Sequence, residues 1–282
     1  MPDIWGLLAI VIKFLLYVGV LTAVGTVFAA LLFRLSHYRS ICLTFGGIGL
    51  LAAIVVFLLR GANLTGDASG MTDPVMLGLL WSTPVGTALL HQIVGLGMLA
   101  ICLFAGRIGL WMSAVGGLIA TWSFAHIGHV AGQEASLLDL TLFLHLIVAS
   151  FWIGILTPLK RLASSPQTWS DAAGLGHNFG LLATLMVPLL IAAGGYMGYV
   201  LVGSVKSLIS TGYGQALILK VVLVCGLLAL AAANKLRFIP GLQKGDPKAA
   251  AHLVKSIHIE WLVILAVLGT TAVLTSNLTL AT

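Results

Sequence analysis

The stretch IWGLLAIVIKFLLYVGVLTAVGTVFAALLFR, residues 4–34, holds one charged side chain, Lys13, before it ends at Arg34. A helix that is apolar all round does not face water. About 20 mostly apolar residues are enough to cross a bilayer. Seven further segments read the same way: 41–60, 86–105, 108–130, 138–163, 175–203, 213–236 and 253–279. Composition points in the same direction. Charged residues make up 8% of the 282-residue chain and hydrophobic residues 60%, with mean hydropathy +1.11. A soluble domain carries about 25% charged residues, so soluble-enzyme templates do not apply. The expected fold is an all-α integral membrane protein, a single membrane domain of eight transmembrane helices over residues 1–282.

Loop charges give the direction. Arg34, Arg39, Arg107, Lys160, Arg161, Lys235, Arg237, Lys244, Lys248 and Lys255 all fall on one side of the eight spans. The other side has Arg60 and Lys206, with Asp3, Asp67, Asp73, Glu134 and Asp139. Ten basic residues against two put both termini outside the cytoplasm by the positive-inside rule. The same asymmetry accounts for the pI near 9.4, which therefore gives no reason to expect a nucleic-acid partner. The opening MPDIWG lacks a basic n-region, so the first helix is expected to stay in the mature chain. Cys42, Cys102 and Cys225 lie in or beside apolar runs and read as buried thiols, not as a disulfide framework.

The chain also repeats. FLLYVGVLTAVG begins at Phe14 and FLHLIVASFWIG at Phe143, an offset of 129 that also relates Gly25 to Gly154 and His91 to Lys220. GIGLLAAIV from Gly47 resembles NFGLLATLM from Asn178. The expectation is two four-helix halves, 1–130 and 131–282, of like orientation about an axis along the membrane normal.

Histidines and soft side chains carry the candidate chemistry. His126 and His129 in SFAHIGHVAGQE, residues 123–134, share one helix face. With His91 and His145 they belong to the outer part of the bundle, His145 roughly 10 Å into its helix at about 1.5 Å per residue. The pair His129 and His145 is expected to meet across a short connection, with His126 or His91 near enough to share one metal. His37, His177, His252 and His258 lie among basic residues and read as interfacial. Met98 and Cys102 follow His91 on one face of helix 3, and Met71 and Met76 stand in the outer loop sequence MTDPVM. Imidazole, thioether and thiol together suit copper better than magnesium, calcium or manganese.

Lys13 and Lys220 are cations inside apolar spans, where a charge calls for a partner. Glu134, Asp139 or a neutral histidine can supply one. Glu260 reads as structural, neutralised by Lys255 and Lys235. There is no HExxH, no CxxC and no Gly-rich phosphate loop, so no enzyme activity and no nucleotide use are expected.

Several pieces resemble the copper resistance protein D (CopD) family of bacterial inner membranes. They are GHVAGQE after helix 4, LHLIVASFWIGIL in helix 5, YGQALILKVVLVCGLLALAAANKLRFIPGL through helix 7, and IEW opening helix 8. The helix 7 piece, with Lys220, Asn234 and Pro240, is the most specific. The resemblance implies eight helices, movement of copper from periplasm to cytoplasm, and work beside a periplasmic copper-binding protein of the CopC type. By position, His129 is the family's Gly-His histidine, His145 its helix 5 histidine with Trp152 and Gly154, and Lys220 its helix 7 lysine. The chain departs in helix 1, where Leu16 occupies the place of a histidine three residues after the basic Lys13. It also departs at His91, where relatives often carry an aromatic or basic residue.

Three functions follow as alternatives. The first is copper uptake across the inner membrane through a site of His91, His126, His129 and His145. Met71, Met76, Met98 and Cys102 would form a soft path, and Glu134, Asp139 and Trp152 would support the ligands. The cargo is copper, as copper(I) or copper(II). The second is a haem or other redox membrane protein with His129 and His145 as axial ligands. The third is a scaffold that delivers copper without translocating it.

Overall fold

A computed structural model describes residues 4–128 and 136–276 of the chain. Among the described residues eight helices are long and apolar enough to cross a membrane. They are α1 Ile4–Phe33, α2 Tyr38–Thr65, α3 Pro84–Cys102, α4 Gly106–His126, α5 Leu137–Ala163, α6 Pro166–Val202, α7 Gly212–Gln243 and α8 Pro247–Leu274. The molecule is an all-α integral membrane protein. The N-terminal face carries the start of α1. The basic face carries the α1–α2, α3–α4, α5–α6 and α7–α8 connections, where the ten basic residues lie.

The boundaries show what punctuates an apolar chain. α2 runs on to Thr65 because the stop is Gly66, whose φ of 75° ends the helix in a left-handed turn. α3 and α8 begin earlier than their apolar runs. The Thr83 and Asp246 side chains accept from the amides of Val85 and Lys248, and Pro84 and Pro247 open the first turns. α4 tightens into a 3-10 turn over Ser123–His126. α7 passes through one π turn, Asn234–Phe238, then a last α turn, Ile239–Gln243. Pro240 follows directly on the π turn, inside the continuous helix.

α1 is the central helix. It packs on α2, α4, α5 and α8, and every residue from Leu16 to Val27 is buried. The crossing of α1 and α5 is made by Gly25 and Gly154. A Cβ on Gly25 would overlap the backbone of Ser150, and one on Gly154 would overlap the backbone of Gly25 and Thr26. Helices in lipid associate by such close small-residue contacts, since apolar burial alone gives them no drive.

The packing partners of α1–α4 correspond to those of α5–α8. α1 packs on α2 as α5 on α6, α3 on α4 as α7 on α8, and α1 on α4 as α5 on α8. α2 also packs on α3, but α6 and α7 come together mainly near the basic face. There Gly176 lies under Ile239, and Lys235 Nζ donates to Thr184 Oγ1 at 2.6 Å. Toward the N-terminal face a cavity opens between them.

Candidate functional site

α3 and α4 approach closely at Gly95 and Gly116, where a Cβ on either would press on the other helix's backbone. That approach brings His91, one turn before Gly95, beside His126, at the end of α4. The two imidazole centroids are 5.0 Å apart and the rings tilted by 39°. His91 Nδ1 lies 2.8 Å from the Thr87 carbonyl. A carbonyl accepts only from an N–H, so in the neutral imidazole the proton sits on Nδ1 and Nε2 carries the lone pair. His126 Nε2 is buried and has no partner among the described residues. The edge of Trp122 stands against the His126 ring, centroids 6.4 Å apart, and the Asp139 carboxylate of α5 acts on it electrostatically. Two imidazoles thus stand side by side, the class of side chain that binds copper and zinc.

His129 and Glu134 lie outside the described residues. The meeting of His129 with His145 lies outside them too. Among the described residues no three of His, Cys, Asp and Glu group as a metal site.

His145 is placed apart from the His91–His126 pair. It lines the cavity between α6 and α7, a volume of about 890 Å³ that also touches α5, α8, Tyr17 of α1 and Ile127 and Gly128 just past His126. Lys220 lines the same cavity, within electrostatic reach of the His145 ring. His145 Nδ1 is buried and has no hydrogen-bond partner among the described residues, and the Leu190 backbone lies against the ring.

Lys13 is different. Its ammonium donates to the Thr275 carbonyl at 2.8 Å, and Tyr17 Oη and Thr275 Oγ1 are 3.1 Å apart. Thr275 ends α8, so the cation sits on the exposed carbonyls of a helix C-terminus, the negative end of its dipole. Among the described residues a helix carbonyl, and not Asp139 or a histidine, holds Lys13.

The soft side chains are spread over α3 and the α2–α3 connection. Met98 lies against Gly116, and Cys102 ends α3 at the basic face. Met71 closes a 3-10 turn, and Met76, on the short helix Pro74–Trp81, packs on the hydrophobic core.

Trp152 sits near mid-depth. Its Nε1 donates to Glu260 Oε2 at 3.3 Å, and Asn234 Nδ2 donates to Glu260 Oε1. The carboxylate is 2% exposed. Three helices, α5, α7 and α8, are joined there, and the π turn of α7 starts at Asn234. Glu260 was expected to find Lys255 or Lys235, but Lys235 is spent on Thr184 of α6. Asn234 was the missed partner. Its signal was an amide inside an otherwise apolar run.

Comparison with known proteins adds the family. The model described as "Copper resistance protein D-like, N-terminal domain" matches residues 1–140, and "Copper resistance protein D" matches residues 173–274. The chain belongs to the copper resistance protein D family. It is 31% identical over 156 residues to "Copper transport protein CutJ" of Bacillus subtilis (strain 168), covering 54% of this chain and 28% of that protein. It is 26% identical over 164 residues to "Inner membrane protein YebZ" of Escherichia coli (strain K12), covering 52% of this chain and 54% of that protein. The matches thus span about half or less of each relative. No solved structure matches the chain.

Proposed function

We propose that the protein carries copper across the bacterial inner membrane, entering at the N-terminal face through His91, His126 and His129. The observation that carries this reading is the His91–His126 pair, with the buried Nε2 of His126 unpartnered and the Nε2 of His91 left as a lone pair. An unsatisfied buried nitrogen is costly, and copper bound to it removes the cost. His129, three residues beyond His126, is the third ligand, and Asp139 supports the site electrostatically. His145, behind Ile127 and Gly128, is the next imidazole inward. Met98 and Cys102 lie further along α3 toward the basic face.

The orientation has both termini in the periplasm, from the excess of basic residues on the other face. A periplasmic copper-binding protein of the CopC type delivers the metal to this face. The halves 1–130 and 131–282 are like-oriented repeats, supported by corresponding helix partners and by the Gly25–Gly154 crossing of two positions that the repeat equates. The protein works as a transporter and not as an enzyme.

The test is bound copper and copper uptake into sealed vesicles for His91→Ala, His126→Ala and His129→Ala, each checked for equal insertion. Binding is expected to fall by about tenfold or more for each, since a lost ligand costs well over 1.4 kcal/mol. Full binding in all three would overturn the site. Binding without uptake would make the protein a delivery scaffold. A Soret absorption band in the purified protein would replace copper with haem.

A further inference from the structure

The cavity between α6 and α7 has the size of a small-molecule site, about 300–1,000 Å³ in most proteins. Its walls are apolar, among them Leu142, Ile153, Leu190, Val224, Ile264 and Leu268. Two basic side chains, Lys220 and His145, enter it at one depth. Each lies eight residues past the first residue of its span, Gly212 and Leu137, about 12 Å along a helix.

A cation at that depth stands only with a partner. Lys13 has one in the Thr275 carbonyl. Lys220 shows no hydrogen bond and no carboxylate beside it among the described residues, and the group it acts on is the His145 imidazole. A buried ammonium with no acceptor among the described residues, in an apolar chamber, leaves an anion missing. The chamber lies where α6 and α7 part, and both helices present their other faces outward, with Leu185, Leu189 and Leu219 exposed. Its occupant therefore comes from the bilayer.

We propose that this cavity binds a long-chain carboxylate drawn from the bilayer. The carboxylate lies against the Lys220 ammonium at the His145 end, and the acyl chain runs along the apolar wall between α6 and α7. A neutral carbonyl head would leave the charge on Lys220 uncompensated. A phosphodiester lipid carries its charge at the headgroup level, held there by glycerol and a second chain. A compact carboxylate on one chain reaches a cation about 12 Å from the helix start.

The probe is a palmitate with a mid-chain diazirine, photolysed on the full chain in phosphatidylcholine nanodiscs. Saturable labelling of α6 and α7 peptides is expected, competed by palmitate and not by hexadecanol. Lys220→Met should weaken binding by about tenfold or more, and Lys220→Arg by about threefold or less. Gly195→Trp should abolish it, because Gly195 lines the cavity and nothing lies within 4 Å of a Cβ there. Copper binding at His91 and His126 should be unchanged in all three, which separates this inference from the entry site. Labelling that does not saturate, equal competition by hexadecanol, or an unaffected Lys220→Met protein would leave the chamber to bulk lipid. Competition by phosphatidylglycerol as good as by palmitate would also overturn the carboxylate. So would a Glu134→Gln variant that binds more tightly, since Glu134 would then be the native partner of Lys220.

Discussion

In the first half of the bundle α2 and α3 close against each other, and in the second half α6 and α7 part above a cavity. The connections explain the contrast. Between α2 and α3 the chain folds inward. Gly70 lies tight on Gly61, Leu80 is buried, and Trp81 meets Phe57 edge-on with centroids 6.1 Å apart. Between α6 and α7 the short helix Val205–Ser210 packs mainly on α7, and Val205 and Ile209 stay exposed. The lysines follow the same division. Lys13 is held by a helix end, and Lys220 faces the open chamber. The α2–α3 region is thus sealed by its own connection, and the α6–α7 region stays open above the cavity.

The largest expected effect comes from the crossing the halves share. Gly154→Leu and Gly25→Leu each place side-chain atoms inside the backbone of the facing helix. Neither helix can give way without separating the halves. Both variants should lose the monodisperse folded protein, read by size-exclusion chromatography of detergent extracts. A well-folded Gly154→Leu protein would break the shared crossing and with it the comparison of halves.

The next effect separates the lysines. Lys13→Met removes a charge-assisted hydrogen bond from the end of α8, at a cost of about 1.5–3 kcal/mol. In lipid-stripped detergent Lys220→Met removes a cation with no described acceptor, so stability should hold or rise. Thermal unfolding of the two variants should therefore move in different directions. Equal losses would mean that Lys220 has a protein partner as good as Thr275.

These contrasts lie at different distances from the sequence. Eight spans were legible because hydropathy and length alone decide them. Their ends were less so, since Thr83, Asp246 and Gly66 act through caps and turns that an apolar run does not show. The repeat offset singled out Gly25 and Gly154, but not that they touch each other. His91 and His126 were both named as outer histidines. Their pairing depended on the α3–α4 approach at Gly95 and Gly116. His145 shares their apolar setting in sequence, yet helix rotation turns it to the cavity. The Trp152–Glu260–Asn234 cluster was hidden because it joins three helices far apart in the chain, and because the π turn at Asn234 has no short-range signature.

That cluster supplies the smallest of these effects. The helix 5 motif placed Trp152 in support of the candidate histidines, whereas its indole N–H reaches Glu260 near mid-depth. Phe keeps most of the ring volume and the contact with Phe179, whose centroid lies 6.3 Å from that of Trp152. Trp152→Phe thus removes one hydrogen bond and little packing. Glu260 retains Asn234 as a donor, so the carboxylate is not stranded. The expected loss is about 0.5–1.5 kcal/mol, as for one hydrogen bond, read as a small fall in Tm. Copper binding at the N-terminal face should not change, because the indole makes no contact with His91 or His126. A fall in copper binding as large as that of His126→Ala, with the Tm unmoved, would return Trp152 to the metal site and leave Glu260 held by Asn234 alone.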